Sequence, residues 1–160
     1  MKKRRPWNTV EEQVYSVASV SNKGVMNMNI ATYVVPVTMK PKQYMIAVYR
    51  DTQTHKNVFE DKHLFLLQGF SLENISHIKT LGKKSGKNYN KAVYIQKQSF
   101  AFHQDIPYFT DAAFVLLCKG EKYFEVGDHD IIVATVVKTV LHQEKSLLTT
   151  KVLQTKKIIT

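Results

Sequence analysis

Apolar residues in this chain alternate, or run in short blocks, far more often than they recur at helical spacing. The pattern predicts a mainly β protein. Residues 14–20 set Val14, Ala18 and Val20 among polar neighbours, and Asn22, Lys23 and Gly24 then signal a turn. Residues 26–33 and 34–39 read as further strand, interrupted at Pro36, where proline implies an edge, a bulge or a bend. Pro41 marks another turn. Residues 44–49 are apolar almost throughout, which predicts a strand buried on both faces, and residues 64–70 read the same way. After Gly127 and Asp128 comes the longest β-run, residues 130–141, mostly β-branched. Residues 112–119 and 123–126 are predicted strands on either side of Gly120, and residues 93–95 a short one.

Two helices interrupt this pattern. Thr54 is the predicted N-cap of a short one whose apolar face is Val58 and Phe59. Ser71 is the predicted cap of a second, reaching about Leu81, with Leu72, Ile75, Ile78 and Leu81 at helical spacing and Gly82 as its stop. Many strands, few helices and no regular β-α alternation argue against a doubly wound sheet. They favour one closed or partly closed antiparallel barrel with helices attached.

Composition sharpens this picture. A hydrophobic fraction of 44% supports a real core, and 160 residues suit a single domain over 1–160. No apolar stretch approaches the ~20 residues of a membrane helix. The start, Met-Lys-Lys-Arg-Arg-Pro, is not a secretory signal. Cys118 is the one cysteine, which fits a reducing compartment, so a cytoplasmic location is expected. The net charge of +10 favours anionic partners, such as phosphate-bearing cofactors. Of the nucleic-acid signatures only net basicity is met, and Phe65, Phe70 and Phe114 lie in apolar runs as core candidates, not as a base-stacking platform. Neither a nucleic-acid nor a membrane partner is therefore expected.

No Walker loop, dinucleotide glycine motif, zincin motif or nucleophile elbow is present. The six histidines are scattered, so no metal site is expected. Four segments stand out instead. They are Asn27-Met28-Asn29-Ile30-Ala31-Thr32-Tyr33, then Arg50-Asp51-Thr52-Gln53-Thr54-His55-Lys56, then Leu81-Gly82-Lys83-Lys84-Ser85-Gly86, and finally Gly127-Asp128-His129. In this order, and with Pro6-Trp7-Asn8 near the start, they make the sequence resemble the flavin reductase-like family, including flavoredoxin-type proteins.

The resemblance implies an FMN-binding split β-barrel, a Greek-key antiparallel barrel with short flanking helices. It also implies a homodimer, with flavin near the subunit interface. The implied activity is hydride transfer from NADH or NADPH to bound flavin, with electrons passed to a further acceptor. The alternative is a non-catalytic FMN electron carrier reduced by a redox partner protein.

Residue by residue, Asn27, Asn29, Ile30, Ala31, Thr32 and Tyr33 would run beside the flavin ring. The phosphate requires hydroxyls, cations and backbone amides, which Arg50, Thr52, Thr54 and Lys56 can offer. Lys84 and Ser85 would reach the phosphate or the anionic edge of the ring, where a lysine stabilises reduced flavin. His129 would sit by flavin and nicotinamide.

Overall fold

The computed structural model describes residues 5–160, so most of the basic cluster at Lys2, Lys3, Arg4 and Arg5 lies outside it. In chain order the strands are β1 (Tyr15–Val20), β2 (Met26–Met28), β3 (Val34–Thr38), β4 (Gln43–Tyr49), β5 (Leu64–Gly69), β6 (Phe100–His103), β7 (Ile106–Phe109), β8 (Phe114–Val126) and β9 (His129–His142). Seven form one antiparallel sheet in the order β2-β1-β5-β8-β9-β4-β3, while β6 and β7 form a separate hairpin.

The sheet closes through residues 29–33. Ala31 exchanges two backbone hydrogen bonds with Tyr15 of β1, both 2.8 Å, and the Tyr33 carbonyl accepts from Ala47 of β4 at 3.0 Å. One short crossing segment therefore joins both ends of the sheet and curls it into a barrel. This corrects the expected strand over 26–33: only Met26–Met28 pairs as a strand, because the chain must leave β1 to reach β4.

Side chains divide by strand alternation into two clusters. Tyr15, Val17, Ile46, Phe65, Cys118 and Ile132 fill the barrel interior. Val14, Ala18, Leu66, Phe70, Phe109 and Leu117 face outward beneath the helices. Strands β1 and β5 are thus the ones buried on both faces. In β4 only Ile46 and Val48 are buried and Tyr49 is exposed, so the expectation of double burial there fails. Phe65 and Phe70 are fully buried, and Phe114 packs edge-on against Tyr15. Gly120 does not divide two strands; β8 runs through it with register shifts on the way.

Four short α-helices flank the barrel: α1 (Gln53–His55, widening into a π-helix over Lys56–Asp61), α2 (Ile78–Lys83), α3 (Lys91–Ile95) and α4 (Thr150–Thr155). Thr52, not Thr54, caps α1: its backbone is extended and its hydroxyl oxygen accepts from the His55 N–H at 3.1 Å. Ser71 caps as expected, but the first turns, Leu72–His77, are 3-10 helix and Leu72 stays exposed. Gly82 lies inside α2, which ends one residue later. Residues 93–95 are helix, not strand, because Asn90 caps α3 and Ile95 drops into the outer cluster. No helix among the described residues is long and apolar enough to cross a membrane.

Candidate functional site

The crossing segment that closes the barrel also floors a cavity of about 680 Å³. Its other walls are the end of β4 with the start of α1, the 81–88 loop, and His129 at the head of β9. Four stretches far apart in sequence converge here, within the size range of cofactor sites. The lining includes Asn27, Asn29, Ile30, Ala31, Thr32, Tyr33, Thr52, Thr54, Lys84, Ser85 and His129, every predicted site residue except Arg50 and Lys56.

Arg50 is engaged elsewhere. Its Nε donates to Asp130 Oδ1 at 2.7 Å and its Nη1 to the Gly127 carbonyl at 2.9 Å, which clasps β4 to the β8–β9 turn. His55 Nε2 meets the other Asp130 oxygen at 2.7 Å. Burial pushes the Asp130 carboxyl up, but the hydrogen bonds from His55 and Arg50 outweigh this and hold it below its ordinary value. The clasp therefore contributes stability at neutral pH that is lost as acid protonates Asp130. Lys56 lines a different, adjoining cavity.

The remaining predicted residues differ in what they leave free. Asn29 is spent on the fold, its side-chain oxygen accepting from the Val17 N–H at 2.9 Å. Thr52 is spent on its cap and on the Tyr49 carbonyl, 2.7 Å away. Thr54, buried to 1% exposure, accepts from Asn27 Nδ2 at 2.9 Å, and its hydroxyl hydrogen has no protein acceptor among the described residues. Lys84 places its ammonium 4.2 Å from the Tyr89 ring centre. His129 sits between Tyr33 and Tyr49, with ring centres at 5.7 and 5.4 Å. Its Nδ1 meets Asp128 Oδ1 at 2.6 Å, and this hydrogen bond is what chiefly lowers the Asp128 carboxyl. His129 Nε2 has no partner among the described residues, so the ring is oriented with one nitrogen free.

The profile of the flavin reductase like domain matches residues 7–153. This chain belongs to the flavin reductase-like family. Its fold is similar to flavoredoxin from Methanosarcina acetivorans (TM-score 0.74, 16% identity, covering 90% of this chain and 77% of that one). It is also similar to an NADH:FAD oxidoreductase from Streptomyces globisporus, in complex with NAD and FAD fragments (0.77, 16%, 91% and 84%). A third similar structure is the styrene monooxygenase flavin reductase from Pseudomonas putida (0.77, 13%, 93% and 91%). These likenesses establish the fold as the split barrel. Comparison with curated protein sequences gives no match.

This flavin reductase-like domain also holds site residues that its sequence did not reveal. Lys91, 5% exposed, lines the cavity and donates to the Met28 carbonyl at 2.8 Å and the Leu81 carbonyl at 2.9 Å. No carboxylate among the described residues meets it, and burial pushes its ammonium down to about 8. Two of its three N–H groups are used and the third has no acceptor among the described residues. Asn27, 2% exposed, has the complementary vacancy: its side-chain oxygen has no donor. Gly86 lies so close that a Cβ there would stand 2.3 Å from that oxygen. A buried donor and a buried acceptor, each with unspent capacity in one wall, suit a ligand rich in hydroxyl and carbonyl groups. In sequence Lys91 looks like any lysine of a basic loop, and only its burial distinguishes it.

Proposed function

We propose that this chain binds FMN in the 680 Å³ cavity and serves as a flavin reductase, with NADH or NADPH as hydride donor and a second molecule as electron acceptor. The observation that carries this reading is the convergence of the four motif segments on one cavity whose buried polar atoms await partners. Bound FMN supplies the redox chemistry: a hydride brings two electrons and one proton, the nicotinamide is oxidised and the flavin reduced.

The protein then binds and orients. The ring would lie along 29–33, beside Tyr33 and Tyr49. Thr54 and Ser85 would hold the phosphate end. Lys91 and Asn27 would meet the polar groups between. Lys84, released from Tyr89, would approach the anionic edge. His129, its Nδ1 held by Asp128, would present Nε2 to the nicotinamide.

Anaerobic mixing of FMN-loaded protein with NADH or NADPH tests the reading. Loss of the flavin band at about 450 nm within seconds is expected. Absence of bleaching, with reduction by an added redox protein, would replace the reductase by an electron carrier. Thr54→Val is expected to weaken FMN binding about tenfold, the loss of one hydrogen bond to an anion of about 1.4 kcal/mol, read by fluorescence titration. Unchanged affinity would take Thr54 out of the site. His129→Ala is expected to lower the rate of flavin reduction about tenfold or more while FMN affinity stays within twofold. The reverse pattern would make His129 a flavin ligand.

We also propose a homodimer. Val35, Val37 and Met39 of the β3 edge region are exposed, as are Phe124 and Val126 near the hairpin tip, where Val126 lies opposite His129. A second copy over these residues would bring an apolar face to the cavity mouth. Sedimentation of the wild type and of a Phe124→Lys/Val126→Lys variant is expected to show dimer and monomer respectively.

A further inference from the structure

The turn that carries His129 stands at the tip of the β8–β9 hairpin, where support is thin. β8 pairs with β5 only as far as Lys119, and residues 121–126 beyond it are exposed. Asp128 bonds the His129 ring, but its own side chain is 78% exposed, and a pair so open to water contributes little to fixing a position. Asp128 sets the tautomer of His129, and the place of the ring is decided elsewhere.

It is decided from the side of β4 and α1. The strand register sets Tyr49 opposite His129 and Val48 opposite Asp130. Arg50, the next residue, reaches three members of the turn. Its backbone N–H donates to the Asp128 carbonyl at 3.2 Å, its Nη1 to the Gly127 carbonyl at 2.9 Å and its Nε to Asp130 Oδ1 at 2.7 Å. The other Asp130 oxygen accepts from His55 Nε2 at 2.7 Å. His55 is itself held. Its backbone N–H bonds the Thr52 hydroxyl, its ring stacks on Phe59 with centres 4.3 Å apart, and Phe59 meets Tyr123 of β8 edge-on at 5.2 Å. The Asp130 and His55 side chains are each 13% exposed, so bonds to this carboxylate are shielded from water as the Asp128 pair is not. Asp130, His55 and Arg50 line neither cavity, so they act only through the residues they hold.

We infer that Asp130 is a positioning residue for hydride transfer: it locks the 127–130 turn to β4 and α1 and thereby holds the His129 ring beside Tyr49 at the cavity. The inference rests on the flavin reductase reading of that cavity. The same carboxylate joins the start of α1, where Thr52 and Thr54 line one end of the cavity, to the turn that brings His129 to it, so the two keep one spacing. Without Asp130 the turn would retain only the Arg50 bonds to two carbonyls, and the His129 ring would move relative to Tyr49. A displacement of about 1 Å is enough to slow a reaction that depends on close approach.

Stopped-flow reduction of FMN-loaded wild type, Asp130→Val, His129→Ala and the double variant by NADH or NADPH tests it. The second readout is the NMR cross-peak between the Tyr49 and His129 rings, whose centres lie 5.4 Å apart. Valine keeps a strand-forming residue in β9. Asp130→Val is expected to lower the limiting rate about tenfold, to leave FMN affinity within about twofold and to erase the cross-peak. In the His129→Ala background the same substitution should change the rate by less than about twofold, because a residue that acts through His129 then has nothing to position. His55→Phe keeps the stack on Phe59 but removes the bond to Asp130, and serves as the second variant should valine disturb folding. It is expected to weaken the cross-peak and to lower the rate about threefold, again only where His129 is present. Equal loss with and without His129, or a cross-peak retained in the variants, would overturn the positioning role and leave Asp130 a clasp for stability alone. A wild type that neither nucleotide reduces would overturn the reductase reading instead. Loss of the cross-peak in Asp130→Val would then still support the positioning, and its retention would overturn that as well.

Discussion

Replacement of Lys91 by methionine is expected to cut FMN affinity about thirtyfold and to abolish its dependence on pH. The side chain ties three elements. It starts α3 and donates to the Met28 carbonyl that ends β2 and to the Leu81 carbonyl in α2. Methionine fills similar space but leaves both buried carbonyls without their donor and removes the free N–H that the ligand would use. A hydrogen bond from a charged group contributes about 2 kcal/mol, which is the thirtyfold. The pH effect follows from burial. The ammonium loses its proton near 8 in the folded protein, against an ordinary 10.5. Wild-type FMN affinity should therefore fall as pH rises through about 8, where the flavin phosphate does not titrate. The linked stability has the opposite sign. Between 8 and 10.5 the unfolded chain binds more protons, so the folded state gains stability as pH rises. Fluorescence titrations from about pH 7 to about pH 9.5 separate the variants, and identical pH profiles would remove Lys91 from the site.

Gly86→Ala is expected to lower FMN affinity tenfold or more and to destabilise the fold by about 1–3 kcal/mol, the usual cost of overpacking. The new Cβ would lie 2.3 Å from Asn27 Oδ1 and 3.0 Å from Gln53 Cβ. Asn27 cannot swing aside freely, because it is buried and its Nδ2 holds Thr54. Relief must therefore come from moving the 82–88 loop or from breaking that hydrogen bond, and either disturbs both cavities. Gly24→Ala is the control. Its φ of +77° makes alanine strained, but nothing lies within 4 Å. It should cost about 1 kcal/mol in stability and leave flavin binding alone. Thermal melts and titrations on both variants check this. A Gly86→Ala protein with native affinity would show that the wall yields without consequence.

The grouping of the predicted segments was legible in sequence, from the order of short motifs. Thr54, Ser85, His129 and residues 29–33 all line one cavity. Placement was illegible where a side chain has two possible partners. Arg50 was expected at the phosphate, yet Asp130 and the Gly127 carbonyl hold it, because pairing β4 with β9 brings that carboxylate beside it. The hairpin of β6 and β7 also escaped notice. Gln104 and Asp105 form its turn with φ of 47° and 63°, a conformation usually signalled by glycine or asparagine. Helix α4 passed unseen for lack of a strong apolar period.

From the sequence alone came the mainly β class, the positions of the long strands and the turn at Gly127 and Asp128, since alternation and turn chemistry act over a few neighbouring residues. The tertiary structure alone decided which residues close the barrel, that Thr52 caps α1 while Thr54 faces inward, and that Lys91 and Asn27 are buried with hydrogen-bonding capacity to spare. Burial and partner choice depend on segments tens of residues apart arriving together, and no local pattern encodes that arrival.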